Sequence, residues 1–210
     1  MKKNTDIPKF GKKLGFWYPL IWRILSTNKY WSPSMWLPKE SGLSIDIYVS
    51  IWWLIEILTA LSYKKLCGPA ISFIIFMLTY RLIDLLFVLF SILLKGFYRR
   101  GKEWLSANRL IFFTICNTIE IMFIFGFFYY TLSVRYPQIV SFSSSLKTLF
   151  ESFYFSVVTG TTLGYGTPYP ISWGSQLLTI IETLIIFLIA IVLIGHLASA
   201  RESPTDRENQ

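Results

Sequence analysis

The stretch SVVTGTTLGYGTPYP, residues 156–170, gathers three glycines, four threonines and two prolines between runs dominated by Leu, Ile and Phe. Glycine opens backbone conformations closed to other residues, and proline breaks a helix, so the chain must leave regular structure here and turn. Whether it turns in water or in lipid decides the fold. Of its 210 residues, 53% are hydrophobic and only 15% charged. The mean hydropathy is +0.50. That balance does not suit an ordinary soluble domain, and a bilayer is the expected solvent.

Outward from this stretch lie apolar runs of bilayer length, about 20 residues for a helix crossing a core of about 30 Å. They cover residues 69–94, 110–132 and 175–197. A weaker fourth run, 44–63, is interrupted by Asp46 and Glu56 but carries tryptophans suited to an interface. Residues 145–158 are apolar and aromatic but too short to cross, which predicts a re-entrant helix between the third and fourth spans. Such a segment survives only under a cover of protein or beside a water-filled cavity. The fold class is therefore an all-α integral membrane protein with four transmembrane helices, a re-entrant helix and a loop between the third and fourth.

Lys and Arg orient these spans. Eight lie in the first 43 residues, five in 95–109 and two in the C-terminal tail, against Lys64, Lys65, Arg135 and Lys147 in the remaining loops. Both termini are expected in the cytosol, with residues 156–170 on the outside, at the plasma membrane. The basic start MKKNTDIPKFGKKLG leads into FWYPLIWRIL, too short to span and without a small-residue cleavage site, so no leader is expected. A net charge of +8 could signal nucleic acid, but the basic residues cluster beside spans, and anionic lipid is the simpler partner. Cys67, Cys116 and His196 fit no disulfide or metal spacing, and no resident cofactor is expected.

The glycines at 160, 164 and 166 admit three readings: a turn, a phosphate cradle or an ion site. A phosphate loop needs a Lys after the last glycine and a strand before it, whereas Thr167 and Pro168 follow and an apolar helix precedes. A plain turn leaves unexplained why a half-length helix ending in threonines delivers the chain to it. An ion site explains both.

TTLGYG, Thr161 to Gly166, resembles the selectivity filter of the potassium channel family. The likeness extends through ESFYFSVVTGTTLGYGTPYPISWG and, with the flanking spans, covers roughly residues 108–198. It implies a pore helix, a filter and an inner helix. In that family the carbonyls of Thr162, Leu163, Gly164 and Tyr165, with the Thr162 hydroxyl, would hold K⁺, and Gly166 would complete the filter. Thr161, Tyr154, Phe155, Val158 and Thr167 would support it, with Leu163 and Tyr165 turned back into protein against Tyr154 and Phe155. One chain supplies one loop, so the resemblance implies a C4 homotetramer with three identical partners and permeant K⁺ as its only ligand. Thr167 stands where most members carry Asp, Val158 where some carry Glu, and Ile185 and Ile186 near the usual hinge glycine. Those departures bear on filter stiffness and on where the inner helix bends, with Gly195 the interior alternative.

Residues 1–43 form a basic, aromatic interfacial segment, with Trp17, Tyr18, Trp22, Tyr30, Trp31 and Trp36. Residues 44–107 hold two extra spans and a basic linker, 108–198 the pore domain and 199–210 a short tail. The tail offers no ligand-binding domain, so any large sensor would sit on a separate regulatory chain. Counting 1.5 Å per residue puts Glu56, Arg81 and Glu120 near the midplane, where a lone charge costs on the order of 3 kcal/mol or more. Arg81 is therefore expected to pair with Glu120 or Glu56, helped by Asp84 at i+3, as a structural clip or alternatively a regulatory switch. One Arg is no voltage-sensing array. Glu182, level with the filter, must find a donor or stay neutral, with Thr159, Thr161 and Asn117 as candidate partners and a pH-sensitive role as the alternative to a structural one. The functional expectation is passive, potassium-selective conduction without enzymatic chemistry; the alternative is a non-conducting regulatory or structural subunit of another channel.

Overall fold

The computed structural model describes residues 42–96 and 107–201. The expected interfacial segment up to residue 41, most of the basic linker and the tail from 202 lie outside the described residues, as does the side chain of His196. Five α-helices and one short 3₁₀ turn follow in order: α1 Gly42–Ser62, the turn Tyr63–Lys65, α2 Gly68–Gly96, α3 Ala107–Arg135, α4 Leu149–Gly160 and α5 Trp173–Arg201. The described residues contain no strand, only an isolated antiparallel bridge between Phe142 and Pro170. By length and composition α1, α2, α3 and α5 can each cross a membrane, and the protein is an all-α integral membrane protein. Helices α2, α3 and α5 run past both ends of the apolar stretches that predicted them, and α1 begins at Gly42, inside the segment expected to be interfacial, and ends at Ser62.

Helix α3 is the hub of the fold, packing on α4 and α5 and touching α2, while α2 also meets α5. Spacing explains the faces. Leu78, Leu82, Leu85 and Leu89 recur every three or four residues and form one buried stripe on α2. Ile185, Ile189 and Val192 do the same on α5 against Ile121, Ile124 and Phe125 of α3. Between α3 and α4 the backbones nearly touch: a Cβ added at Gly126 would sit 2.8 Å from Phe153 Cα. Any larger residue there would force the two helices apart.

The re-entrant helix starts later than expected, at Leu149 rather than 145, and runs on to Gly160 rather than 158. Its start is fixed by Thr148, extended at φ −132° and ψ 156°, whose hydroxyl accepts from the Glu151 N–H. The Glu151 carboxylate in return accepts from the Lys147 N–H at 2.7 Å. This is a variant of the T-x-x-E capping box, shifted by one residue, and it holds 145–147 out of the helix.

Candidate functional site

Helix α4 delivers the chain to the glycine-rich loop, and its last turn is closed by that loop. The amides of Thr161, Thr162 and Leu163 donate back to the carbonyls of Val157, Thr159 and Val158 at 2.9–3.0 Å. Carbonyls otherwise orphaned at a helix C-terminus are thus satisfied, and the exit direction of the loop is set. Beyond it, φ alternates in sign: Thr162 at 59°, Gly164 at 58° and Gly166 at 94° are left-handed, with Leu163 and Tyr165 between them on the ordinary side. Alternation of this kind tips successive peptide planes the same way, lining N–H groups along one side and C=O groups along the other.

The two glycines serve that backbone and nothing else. A Cβ at Gly164 or Gly166 would meet nothing within 4 Å, so crowding does not require them, but the positive φ does. Thr162 is the more telling residue. A β-branched side chain at positive φ costs about 1–2 kcal/mol, and such outliers persist where the surroundings dictate the backbone.

Tyr165 stacks on Tyr154 of α4, rings 6.4 Å apart and 6° from parallel, as the resemblance implied. Phe155 does not brace the loop in the same way. It turns instead to Tyr129 and Phe142, each with its ring centroid 5.0 Å away, because this side of α4 faces α3. Phe155, Val158 and Thr167 still line, with Tyr154 and Tyr165, a cavity of about 200 Å³ behind the loop. Leu163 and Tyr165 keep 59% and 66% of their surface exposed on the single chain. The expectation that they are covered by protein is therefore not met within the chain.

The far end of the loop is pinned separately. Ser143 N–H donates to Tyr169 O, Tyr169 N–H to Ser143 Oγ and Ile171 N–H to Ser141 O, at 2.9–3.0 Å. Ser172 Oγ donates to Ile139 O and accepts from the Ser141 N–H, while Ser175 Oγ lies 2.7 Å from Ser141 O. Gly174 packs so closely on Ile139 that a Cβ would lie 2.4 Å from its carbonyl oxygen. The connection after α3, the loop and the start of α5 therefore form one knot.

Two polar clusters flank this assembly. Arg81 of α2 bonds Glu120 of α3 through Nε to Oε1 and through Nη2 to Oε2, the latter at 3.0 Å, and reaches Asp84 Oδ2 with Nη1, also at 3.0 Å. Tyr48 of α1 donates to the same Asp84 oxygen at 2.9 Å, and the guanidinium lies over the rings of Tyr48 and Trp52. Of the two expected partners Arg81 takes Glu120. Glu56 is 1% exposed, and neither of its oxygens has a hydrogen-bond partner among the described residues.

Glu182 of α5 is fully buried. Its expected partners are replaced by two others: Tyr129 of α3 donates to Oε2 at 2.6 Å, and the Ser156 hydroxyl of α4 meets Oε1. Thr161, one of the expected partners, turns its hydroxyl back to Val157 O at 2.6 Å. Tyr129 and Ser156 were missed because no sequence spacing links them to Glu182; only the packing of three helices does. A weak signal existed for Ser156, a polar residue on the apolar side of a short helix. No group of acids, histidines or cysteines among the described residues is arranged to hold a metal.

Residues 117–202, less than half of the chain, match the family model described as "Ion channel". No curated protein and no solved structure matches the chain. The match takes in α4, the loop and α5, the region whose residues carry the potassium-channel resemblance.

Proposed function

We propose that this chain is one subunit of a potassium-selective channel, four copies of which close around a common axis and pass K⁺ down its gradient without covalent chemistry. The alternation of backbone handedness through Thr162, Gly164 and Gly166 carries the reading. It supports a column of carbonyls on one side of the loop, able to replace the water shell of a dehydrated cation. Thr162, Leu163, Gly164 and Tyr165 would supply the K⁺ ligands. A single column cannot encircle an ion, so closure by symmetry follows.

The surface of α5 supports that assembly. Leu177, Ile180, Leu184, Phe187, Ile191 and Ile194 are exposed at alternating spacings of three and four residues, the repeat of a helix–helix seam. With the exposed Leu163 and Tyr165, this face suits contact with neighbouring copies. The basic segments support an orientation with both termini in the cytosol and the loop outside, and with anionic lipid at the inner surface of the plasma membrane.

The test is K⁺ and Na⁺ flux through the purified chain in liposomes. Wild type should pass K⁺ in strong preference to Na⁺. Gly164→Asp, which forces a side chain onto a left-handed position, and Tyr165→Ala, which removes the stack on Tyr154, should each abolish the preference or the flux. Unchanged selectivity in either would remove the filter assignment. A folded tetramer without flux would favour the non-conducting regulatory subunit, for which a separate channel chain would be the partner.

A further inference from the structure

The contacts around Glu182 can be counted in hydrogens. Ser156 Oγ lies 2.8 Å from the carbonyl oxygen of Met122, which only accepts, and also meets Glu182 Oε1. Tyr129 Oη lies 2.6 Å from Glu182 Oε2. Its other neighbour, Thr179 Oγ1 at 3.4 Å, gives its own hydrogen to Ser175 O. An ionised Glu182 leaves three contacts and two hydrogens, since each hydroxyl has one. Either the Ser156 to Met122 or the Ser156 to Glu182 contact would then press two acceptor oxygens together. A protonated Glu182 supplies the third hydrogen, and the contacts become one directed chain: Tyr129 to Glu182 Oε2, Glu182 Oε1 to Ser156, and Ser156 to Met122 O.

The surroundings agree with that count. Tyr129 is the titratable group that faces Glu182 from α3, Ser156 meets it from α4, and Thr179 stands one turn away on its own helix. The ionised groups Arg81, Asp84 and Glu120 of α2 and α3 bond one another instead. With no cation paired to it among the described residues, a bare carboxylate here would be a buried charge without compensation, whereas the acid is a satisfied donor and acceptor.

We propose that Glu182 is a positioning residue for the filter that works as an uncharged acid: its proton completes a chain tying α5 through Ser156 of the pore helix to the Met122 carbonyl of α3, and loss of that proton unties the pore helix. The pore helix carries the filter's first amides on its own last carbonyls, so the tie sets where the filter stands. The sign follows. The chain is complete when Glu182 is protonated and breaks as pH rises, so filter order and K⁺ flux fall toward alkaline pH. The conduction half of this inference rests on the channel reading above; the protonation half does not.

The experiment has two readouts on the full-length protein. Infrared spectra of the purified chain should contain the carbonyl band of a protonated carboxyl that disappears in Glu182→Gln, an isostere that keeps a donor and an acceptor. Its persistence would overturn the proposal. If Glu182→Gln does not fold, Ser156→Ala serves instead: it removes the acceptor of the Glu182 proton and should shift that band, and an unshifted band overturns it equally. In liposomes, wild-type K⁺ flux should fall as the pH is raised, while Glu182→Gln stays near the value wild type has at the acidic end throughout. Parallel pH profiles of the two would overturn the coupling. Absence of K⁺ flux at every pH would sink the channel reading and the conduction half with it, leaving the infrared band to decide whether Glu182 holds its proton.

Discussion

Glu120 and Glu182 are both carboxyls with no exposed surface, in neighbouring helices of one bundle, yet they are held in opposite ways. Glu120 faces a guanidinium, in a fork of two charge-assisted bonds. Glu182 faces two hydroxyls. A forked ion pair keeps its value only while both charges remain, so it behaves as a fixed clasp between α2 and α3. A carboxyl among hydroxyls has a neutral form that satisfies every partner, so it needs no counter-charge and its contacts depend on one proton. The difference teaches where rigidity and adjustability sit: the clasp joins α1 and α2 to α3, and the adjustable tie lies at the helix that leads into the glycine-rich loop.

The comparison is broken most severely at Arg81. Arg81→Ala should lower stability by about 3–5 kcal/mol, since it takes from the buried Glu120 the guanidinium that holds both its oxygens. Unfolding in mixed detergent micelles would measure it, and a loss below about 1 kcal/mol would mean that water already reaches the clasp. Tyr129→Phe should cost far less, about 0.6 kcal/mol, the average worth of one hydrogen bond inside a membrane protein. Equal losses from the two substitutions would erase the distinction between clasp and tie. The effect expected at Glu56 is nil or of the opposite sign. Both its oxygens are buried and without a hydrogen-bond partner among the described residues, so Glu56→Leu should leave stability unchanged or raise it by about 1 kcal/mol, as removal of an unmet polar group does. A marked loss would show that Glu56 has a partner within the working assembly.

How much of this could be read beforehand depends on whether spacing or rotation carries the information. Depth is a matter of counting, so the meeting of Arg81, Asp84 and Glu120 was legible from the rise per residue and the i+3 spacing. The loop was legible because glycines at alternate positions, Gly164 and Gly166, suit a left-handed backbone, although Thr162 shares that conformation without a glycine to announce it. The four spans were legible as apolar length. Helix rotation leaves no such trace: that α4 presents Ser156 to Glu182 and Phe155 to Tyr129, rather than both toward the filter, follows from the near contact of Gly126 with Phe153. Glu56 fell out of the Arg81 pairing for the same reason, since depth matched and rotation did not. The start of α4 was readable in principle from TLFE, residues 148–151, but an apolar run beginning at 145 outweighed it.

The serine knot at the start of α5 has a mechanical meaning. Gly174 and Ser175 are fastened to Ile139 and Ser141, while Gly195 near the other end has open space around it. A rod fastened at one end is a lever, and about 32 Å of helix lies between those glycines. A tilt of about 6° about the knot carries the far end through about 3 Å but Glu182 through only about 1 Å. Travel at the far end is thus compatible with an almost stationary fulcrum, and the glycine-rich loop stands beside the fulcrum.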